Sequence, residues 1–444
     1  ADDLPAAEVA RDAGDRLHVD QRAAVDLPEL LRVELVHQFL DRLADQRLDL
    51  RRVAEGVESR ACCPIELEPL AHQPGQHLPA VQVDVEAAGG EIDLVACQAC
   101  GFLFNRVFDL AMALAGAGYE STQSASATFN AFADGLARDW IARHDLAGKT
   151  VIEVGCGQSA FMQTLLANGV GHMHGIDPLA SMADIPAEHA QRVTIDARDF
   201  AADHVGFKAS ALVCRHSIEH IPDVAAFMHL CSDWSKANGN APVLFEAPAA
   251  ERIVQDGAFW DLFYEHCNYF TVASLARAFE HAGLRVTQQR LEYGEQYIIM
   301  DACHDPVARV HEDPVAQADW LAACCRFGER ASAAVRACQQ RMRDFAAAPG
   351  GLVIWQGASK TVGLLTAIGN EVPIRACVDQ NPRRHSLFIP PSGLQILPPA
   401  ALAAMQPAHV VLMNAVYMGE VRGQLDAMSC TATQLHAIDD VIAV

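Results

Sequence analysis

The stretch AFWDLFYEHCNYF, residues 258–270, sets two ionisable side chains, Glu265 and His266, inside an aromatic run. Such groups are costly in apolar surroundings unless they are paired or used. The pair suits proton transfer. An imidazole takes a proton near neutral pH, and an adjacent carboxylate can hold the ring in orientation. Carbon is not a nucleophile until a proton leaves, and a carbon beside a ketone can give its proton to such a base. The enolate oxygen that develops needs a hydrogen-bond donor, which a tyrosine hydroxyl supplies. Tyr264 stands next to the pair. The competing reading of His266 is a hydrogen-bonded core residue. Its place after an apolar strand and before a helix start at Thr271 favours a site, because open α/β sheets bind ligands at the carboxyl ends of their strands.

A second constellation lies upstream. In VIEVGCGQSAF, residues 151–161, an apolar strand ends at Glu153 and runs into Gly155-Cys156-Gly157. Glycines allow a tight strand-to-helix turn and a close ligand approach. A dinucleotide fingerprint wants a third glycine, and Ala160 holds that place. The E-x-G-x-G form is the one S-adenosylmethionine (SAM) enzymes use to cradle the amino-acid end of the cofactor. Asp177, in GIDP, suits the ribose hydroxyls. Asp199 and Phe200, in TIDARDF, suit adenine, the carboxylate near the amine and the ring beside the base; Asp196 competes for that place. RHSIEHIPD then offers His216, either toward the cofactor or as a structural residue, and His220 as a second polar contact in the acceptor pocket. Tyr293, Gln296 and Tyr297 in EYGEQY either reach the acceptor or pack the strand.

Apolar runs ending in Gly or acidic residues, with helical stretches between them, fill residues 149–302. That alternation predicts a doubly wound parallel sheet of α/β class. Residues 1–55 read as a helical extension, 56–110 as a small Cys-containing module, 111–302 as the SAM-binding domain and 303–348 as a helical linker. PGG at 349–351 starts a second alternation, so 349–444 reads as a smaller Rossmann-like domain. Within it WQGASK, residues 355–360, forms a strand-Gly turn-helix that favours an anion, and Asp379 ends the next strand where a ribose-binding acid would sit.

The chain has 444 residues, half of them apolar, and a formal net charge of −23. An acidic surface repels phosphate backbones, so nucleic acid is excluded as a partner. It does not exclude a small anionic acceptor at a locally positive site. No apolar run is long enough to span a bilayer, so no membrane association is expected. Fourteen cysteines without a hydrophobic leader point to reduced thiols and a cytoplasmic protein. Cys97-x-x-Cys100 followed by Gly101 has zinc-knuckle spacing.

The ordered pattern resembles the class I methyltransferases, and within them the C-methyltransferases of deoxysugar biosynthesis and their uncharacterised relatives. The resemblance covers roughly residues 60–440 and rests on CQACGFLFN, YESTQSAS, VIEVGCG, RHSIEHIPD, AFWDLFYEHCNYF, EYGEQY, GASK, VDQNP and VLMNAVY. It implies a zinc-binding N-terminal module, a methyltransferase domain and a C-terminal Rossmann-like domain that helps hold the acceptor. It also implies His266 as general base with Glu265 beside it, Tyr119 of YESTQ as a substrate tyrosine, and enolate formation on a keto-sugar. The second half of a structural zinc site falls on Cys62 and Cys63, with His72 or His77 as other donors. A nucleotide-diphosphate handle on the sugar would meet Lys360, Arg383 and Arg384. One position departs from the family: a tyrosine two residues before the Glu is here Phe263.

Overall fold

A computed structural model describes residues 62–64, 90–98, 100–115, 122–305, 307, 313–390 and 392–442. The helical extension expected over residues 1–55, together with Tyr119, His72 and His77, lies outside the described residues.

The first strands, β1 (Cys62–Pro64), β2 (Leu94–Cys97) and β3 (Leu103–Asn105), form an antiparallel sheet. Seven more, β4 (Thr150–Val154), β5 (His172–Ile176), β6 (Val193–Asp196), β7 (Ala211–Arg215), β8 (Val243–Pro248), β9 (Asn268–Tyr269) and β10 (Leu284–Glu292), precede β11 (Tyr297–His304). The central sheet has the order β10-β11-β8-β7-β4-β5-β6. Its strands run parallel from β8 to β6, and β11 enters antiparallel between β8 and β10. A dinucleotide fold ends in a parallel sixth strand; the reversed hairpin at this end is the class I methyltransferase arrangement. Strands such as ALVCR and VLFEA are covered on both faces, which is why they read as unbroken apolar runs.

The small sheet is not self-contained. Its fourth strand is β9, cut from the aromatic stretch itself, and Leu103 pairs with Tyr269. The stretch that carries His266 therefore leaves β8, crosses the sheet edge and finishes inside the Cys module.

The chain then runs into a 34-residue helix, Pro314–Ala347, started by Asp313, whose Oδ1 accepts from the amides of Val315 and Ala316 at 3.1 and 3.0 Å. Proline at the first helical position loses no hydrogen bond. The helix straps the pieces together. Trp320 Nε1 donates to Gly101 O at 2.7 Å in the Cys module, and Arg330 Nη1 donates to Val254 O at 2.9 Å behind the aromatic stretch.

A third sheet follows, built from β12 (Leu352–Trp355), β13 (Ile374–Val378), β14 (Phe388–Ile389), β15 (Leu394–Leu397), β16 (His409–Leu412) and β17 (Gln434–Ala437), in the order β14-β15-β13-β12-β16-β17. All of it is parallel except the β14 edge. This Rossmann-like domain docks on the central one through a buried, reciprocal amide pair: Gln296 Nε2 donates to Asn414 Oδ1, and Asn414 Nδ2 to Gln296 Oε1, both at 2.9 Å. Among the described residues no helix is long and apolar enough to cross a membrane.

Candidate active site

The cofactor loop follows β4. Gly155 has φ +70°, and a Cβ there would lie 1.9 Å from Ser217 Oγ, so no larger residue fits this turn. Gly157 has φ +48°, with open space where a Cβ would project, and its amide donates to Asp177 Oδ2 at 2.9 Å. Asp177 Oδ1 accepts from Leu179 N at 2.7 Å. The loop and the acid after the next strand are thus one fixed unit, with its open side toward the carboxyl ends of the strands. Glu153 is buried behind the loop, and its Oε2 has no partner among the described residues. Burial pushes its carboxyl up to about 8, against the pull of Arg215 and with Asp177 adding to the rise. Cys156 is also buried, and burial pushes its thiol well up, so it packs rather than reacts.

The adenine expectation is refined by the structure. Asp196 is taken: it accepts from Arg198 Nε at 2.9 Å and lies 3.0 Å from His204 Nε2. Asp199 has no such partner among the described residues and is exposed, free to meet a ligand. Phe200 does not present its ring to a base. The ring is buried, stacked 5.5 Å from His204 and edge-on to Phe227. A shaped glycine loop, a rigid acid for a diol and an unpaired exposed carboxylate fit SAM.

The aromatic stretch delivers His266 to the neighbourhood of the segment after β7. His266 is half-buried, its ring 4.8 Å from that of His220 and 5.0 Å from that of Phe263. The acid facing it is Glu219. One donor atom each of Glu219, His220 and His266 lies within 4.8 Å of the others. Glu265, expected beside the base, points its side chain to solvent and contributes its backbone, accepting from His220 Nδ1 at 2.9 Å. Tyr264 is also turned away. Its hydroxyl accepts from Asp109 N at 2.9 Å, and its ring fills the space beside Gly90 in the Cys module.

Glu219 is 2% exposed and belongs to a buried chain of alternating charge. Arg215 Nε donates to Glu246 Oε2 at 2.6 Å, Glu246 Oε1 lies 2.8 Å from His216 Nε2, and His216 Nδ1 lies 3.5 Å from Glu219 Oε1. Burial alone would neutralise His216, but Glu246 and Glu219 reverse that and hold it up at about 9. Burial would likewise raise Glu246, but Arg215 and His216 hold it down at about 2. Glu219 is held below its usual range by His216, His220 and His266 against its burial. His266 is driven the other way. Burial, then His220, push it down to about 3, with Glu219 opposing. It is a neutral imidazole, not one poised near 7. His216, placed at the cofactor by its sequence, thus acts from behind, fixing Glu219. The sequence did hold a signal for Glu219, which stands three residues after His216 and next to His220.

The C-terminal domain closes over this region. Lys360 pairs with Asp261 of the aromatic stretch, and Arg252 Nη1 donates to the same carboxylate at 2.6 Å. A Cβ on Gly363 would lie 2.9 Å from Trp260 O, so the helix Ser359–Ile368 rests against this backbone. Lys360 is therefore spent on an internal pair. Asp379 is spent too, accepting from Gly357 N at 2.7 Å and Arg384 Nη1 at 3.1 Å. Gln123, the last residue of YESTQ, joins the domains: its Nε2 donates to Tyr297 Oη at 3.2 Å, and its Oε1 accepts from Tyr417 Oη at 3.0 Å.

In the Cys module, Gly101 N donates to Cys97 O at 2.7 Å, closing the turn that carries Cys100. In register, Cys62 lies opposite Cys97 and Cys63 opposite Ala96. The side chains of Cys62 and Cys63 lie outside the described residues, and among the described ones Cys97 and Cys100 gather no third donor.

Comparison with known proteins agrees with this architecture. Residues 127–289 match the family described as methyltransferase domain, and residues 302–436 the family described as C-methyltransferase C-terminal domain. The chain is 32% identical over 112 residues to a ubiquinone biosynthesis O-methyltransferase of Aromatoleum aromaticum, covering 23% of this chain and 47% of that one. It is 26% identical over 182 residues to the C-methyltransferase NovU of Streptomyces niveus, covering 39% and 42%. The matches thus span less than half of these relatives. Among solved structures, the magnesium protoporphyrin IX methyltransferase of Synechocystis PCC 6803 is similar at 15% identity and a TM-score of 0.31, covering 40% of this chain and 84% of that one. Two family matches, a methyltransferase domain and a C-methyltransferase C-terminal domain, thus fall on the central and the C-terminal α/β domains.

Proposed function

We propose that the chain transfers a methyl group from SAM to a carbon beside the carbonyl of a small acceptor, a keto-sugar in nucleotide-linked form. The observation that carries this reading is His266: a neutral imidazole facing a buried carboxylate, at the carboxyl end of the cofactor-binding sheet. Bound SAM supplies an electrophilic methyl group. The chain's own residues do the rest. The loop Gly155–Gly157 and Asp177 hold the cofactor, and Asp199 meets its base. His266 accepts the proton from the acceptor carbon, and Glu219 stabilises the imidazolium that forms, as a carboxylate orients a catalytic histidine elsewhere. Much of the remaining rate comes from alignment of acceptor and methyl group. The match of residues 302–436 to a C-methyltransferase C-terminal domain supports carbon as the target. A structural zinc on Cys97 and Cys100 with Cys62 belongs to the same reading, and metal analysis tests it.

A second reading, methylation of an oxygen, is favoured by the names of the ubiquinone O-methyltransferase relatives. The two separate in deuterium oxide. With S-adenosylhomocysteine bound, nucleotide-linked 4-keto-deoxysugars should exchange one C–H position, followed by NMR, and His266→Ala should abolish exchange while keeping cofactor affinity. No exchange across the panel, with cofactor binding intact, would move oxygen methylation ahead.

A further inference from the structure

We infer that Glu219, His220 and His266 form a divalent transition-metal site, and that a metal bound there silences the base. The consequence for catalysis rests on the proposed role of His266; the site itself does not.

Three observations carry it. The donor atoms of the three residues already lie within 4.8 Å of one another. A tetrahedral ion with bonds of about 2.0–2.1 Å wants its donors about 3.3 Å apart, so binding draws them together by at most about 1.5 Å. Second, Glu219 Oε2 is shielded from solvent and has no hydrogen-bond partner among the described residues, although Glu219 is 2% exposed. A buried carboxylate oxygen left unmatched is costly, and a cation satisfies it. Third, His220 Nδ1 faces Glu265 O at 2.9 Å. A carbonyl only accepts, so Nδ1 carries the proton and Nε2 presents its lone pair. A ligating histidine is normally held this way, its other ring N–H given to a carbonyl or carboxylate. Two imidazoles and one carboxylate suit Zn²⁺, Co²⁺ or Fe²⁺ and not Mg²⁺ or Ca²⁺. The metal takes the lone pair the base uses, so the metal-bound and proton-accepting states exclude each other.

The test is Co²⁺ titration of the full chain without SAM, read by visible absorption. The site should give the d–d bands of a nitrogen–oxygen set, without the thiolate charge-transfer band that Cys97 and Cys100 would add. His220→Ala and Glu219→Gln should each weaken this signal at least about tenfold, with melting curves confirming the fold. His220→Ala, at an exposed position, keeps the test open if the buried variant unfolds. Cobalt seen only through thiolate absorption, or an affinity untouched by His220→Ala, would overturn the site. Zn²⁺ should also slow deuterium exchange at the acceptor. If no acceptor reacts while the cobalt signal behaves as expected, the site stands and the methyl-transfer reading fails instead.

Discussion

Arg383 reaches from the C-terminal domain to the cofactor loop, where its Nη1 donates to Gln158 Oε1 at 3.1 Å. On its other side the loop is pinned through Gly157 to Asp177. The loop is therefore held between two domains. Arg383→Ala should weaken SAM about fivefold, as expected for the loss of roughly 1 kcal/mol of hydrogen bonding. Arg383 is exposed and Gln158 half-buried, so the melting temperature should hardly move. Isothermal titration with SAM checks this, and an unchanged affinity would mean the loop keeps its shape without the contact.

The two glutamates near His266 separate by variant. Glu219→Gln should keep substrate KM and lower kcat by about a hundredfold, within the range for a positioned acid–base partner. Glu265→Gln should change kcat less than about twofold, because its side chain lies in solvent and its backbone carbonyl makes the contact to His220. Equal losses in both variants would return the acid's role to Glu265.

The contrast shows what the sequence could and could not display. Strand ends, the glycine loop and Asp177 were legible because periodicity and spacing along one segment define them. The three-dimensional partner of His266 was not. Glu265 is nearest in sequence, but after the 3₁₀ turn Phe259–Asp261 successive side chains of this stretch point in different directions. His266 goes to the site, Tyr264 to the Cys module and Glu265 to solvent. Phe200 follows the same logic: a ring beside an acid at a strand end can serve either face, and here it serves the core. Lys360 followed a Gly turn, as an anion ligand would, but its partner Asp261 lies 99 residues away. Contacts of that range follow from domain docking, which no local pattern encodes.

That docking pair gives an unequal response to mutation. Lys360 and Asp261 are 17% and 13% exposed, and burial pulls the lysine below its ordinary range against the attraction of Asp261. Lys360→Met leaves Asp261 still paired with Arg252, and should cost only about 1 kcal/mol. Asp261→Ala leaves Lys360 buried without its carboxylate, beside an Arg252 that keeps Asp439, and should cost about 3–5 kcal/mol. The double variant should be more stable than Asp261→Ala alone, since it removes one unpaired charge. Chemical denaturation of the three proteins checks the order, and a double variant weaker than either single would show that the pair does not act through charge.

Glu153 predicts how stability changes with pH. Its folded carboxyl sits at about 8, raised from 4.5 chiefly by burial, with Arg215 pulling down and Asp177 and Glu246 pushing up. A raised folded value means that the folded chain prefers the protonated form. The contribution is fully present below about 4.5 and is lost as pH rises through 8. Above that, a buried carboxylate whose Oε2 has no hydrogen-bond partner among the described residues must be ionised in the folded state, at a cost of up to roughly 5 kcal/mol. Glu153→Gln keeps the shape and cannot ionise. The variant should match the parent near pH 5 and melt several degrees higher at pH 9, measured without SAM. The sign is the test: a variant that loses stability relative to the parent as pH rises would mean that Glu153 is charged in the folded protein and stabilised by Arg215.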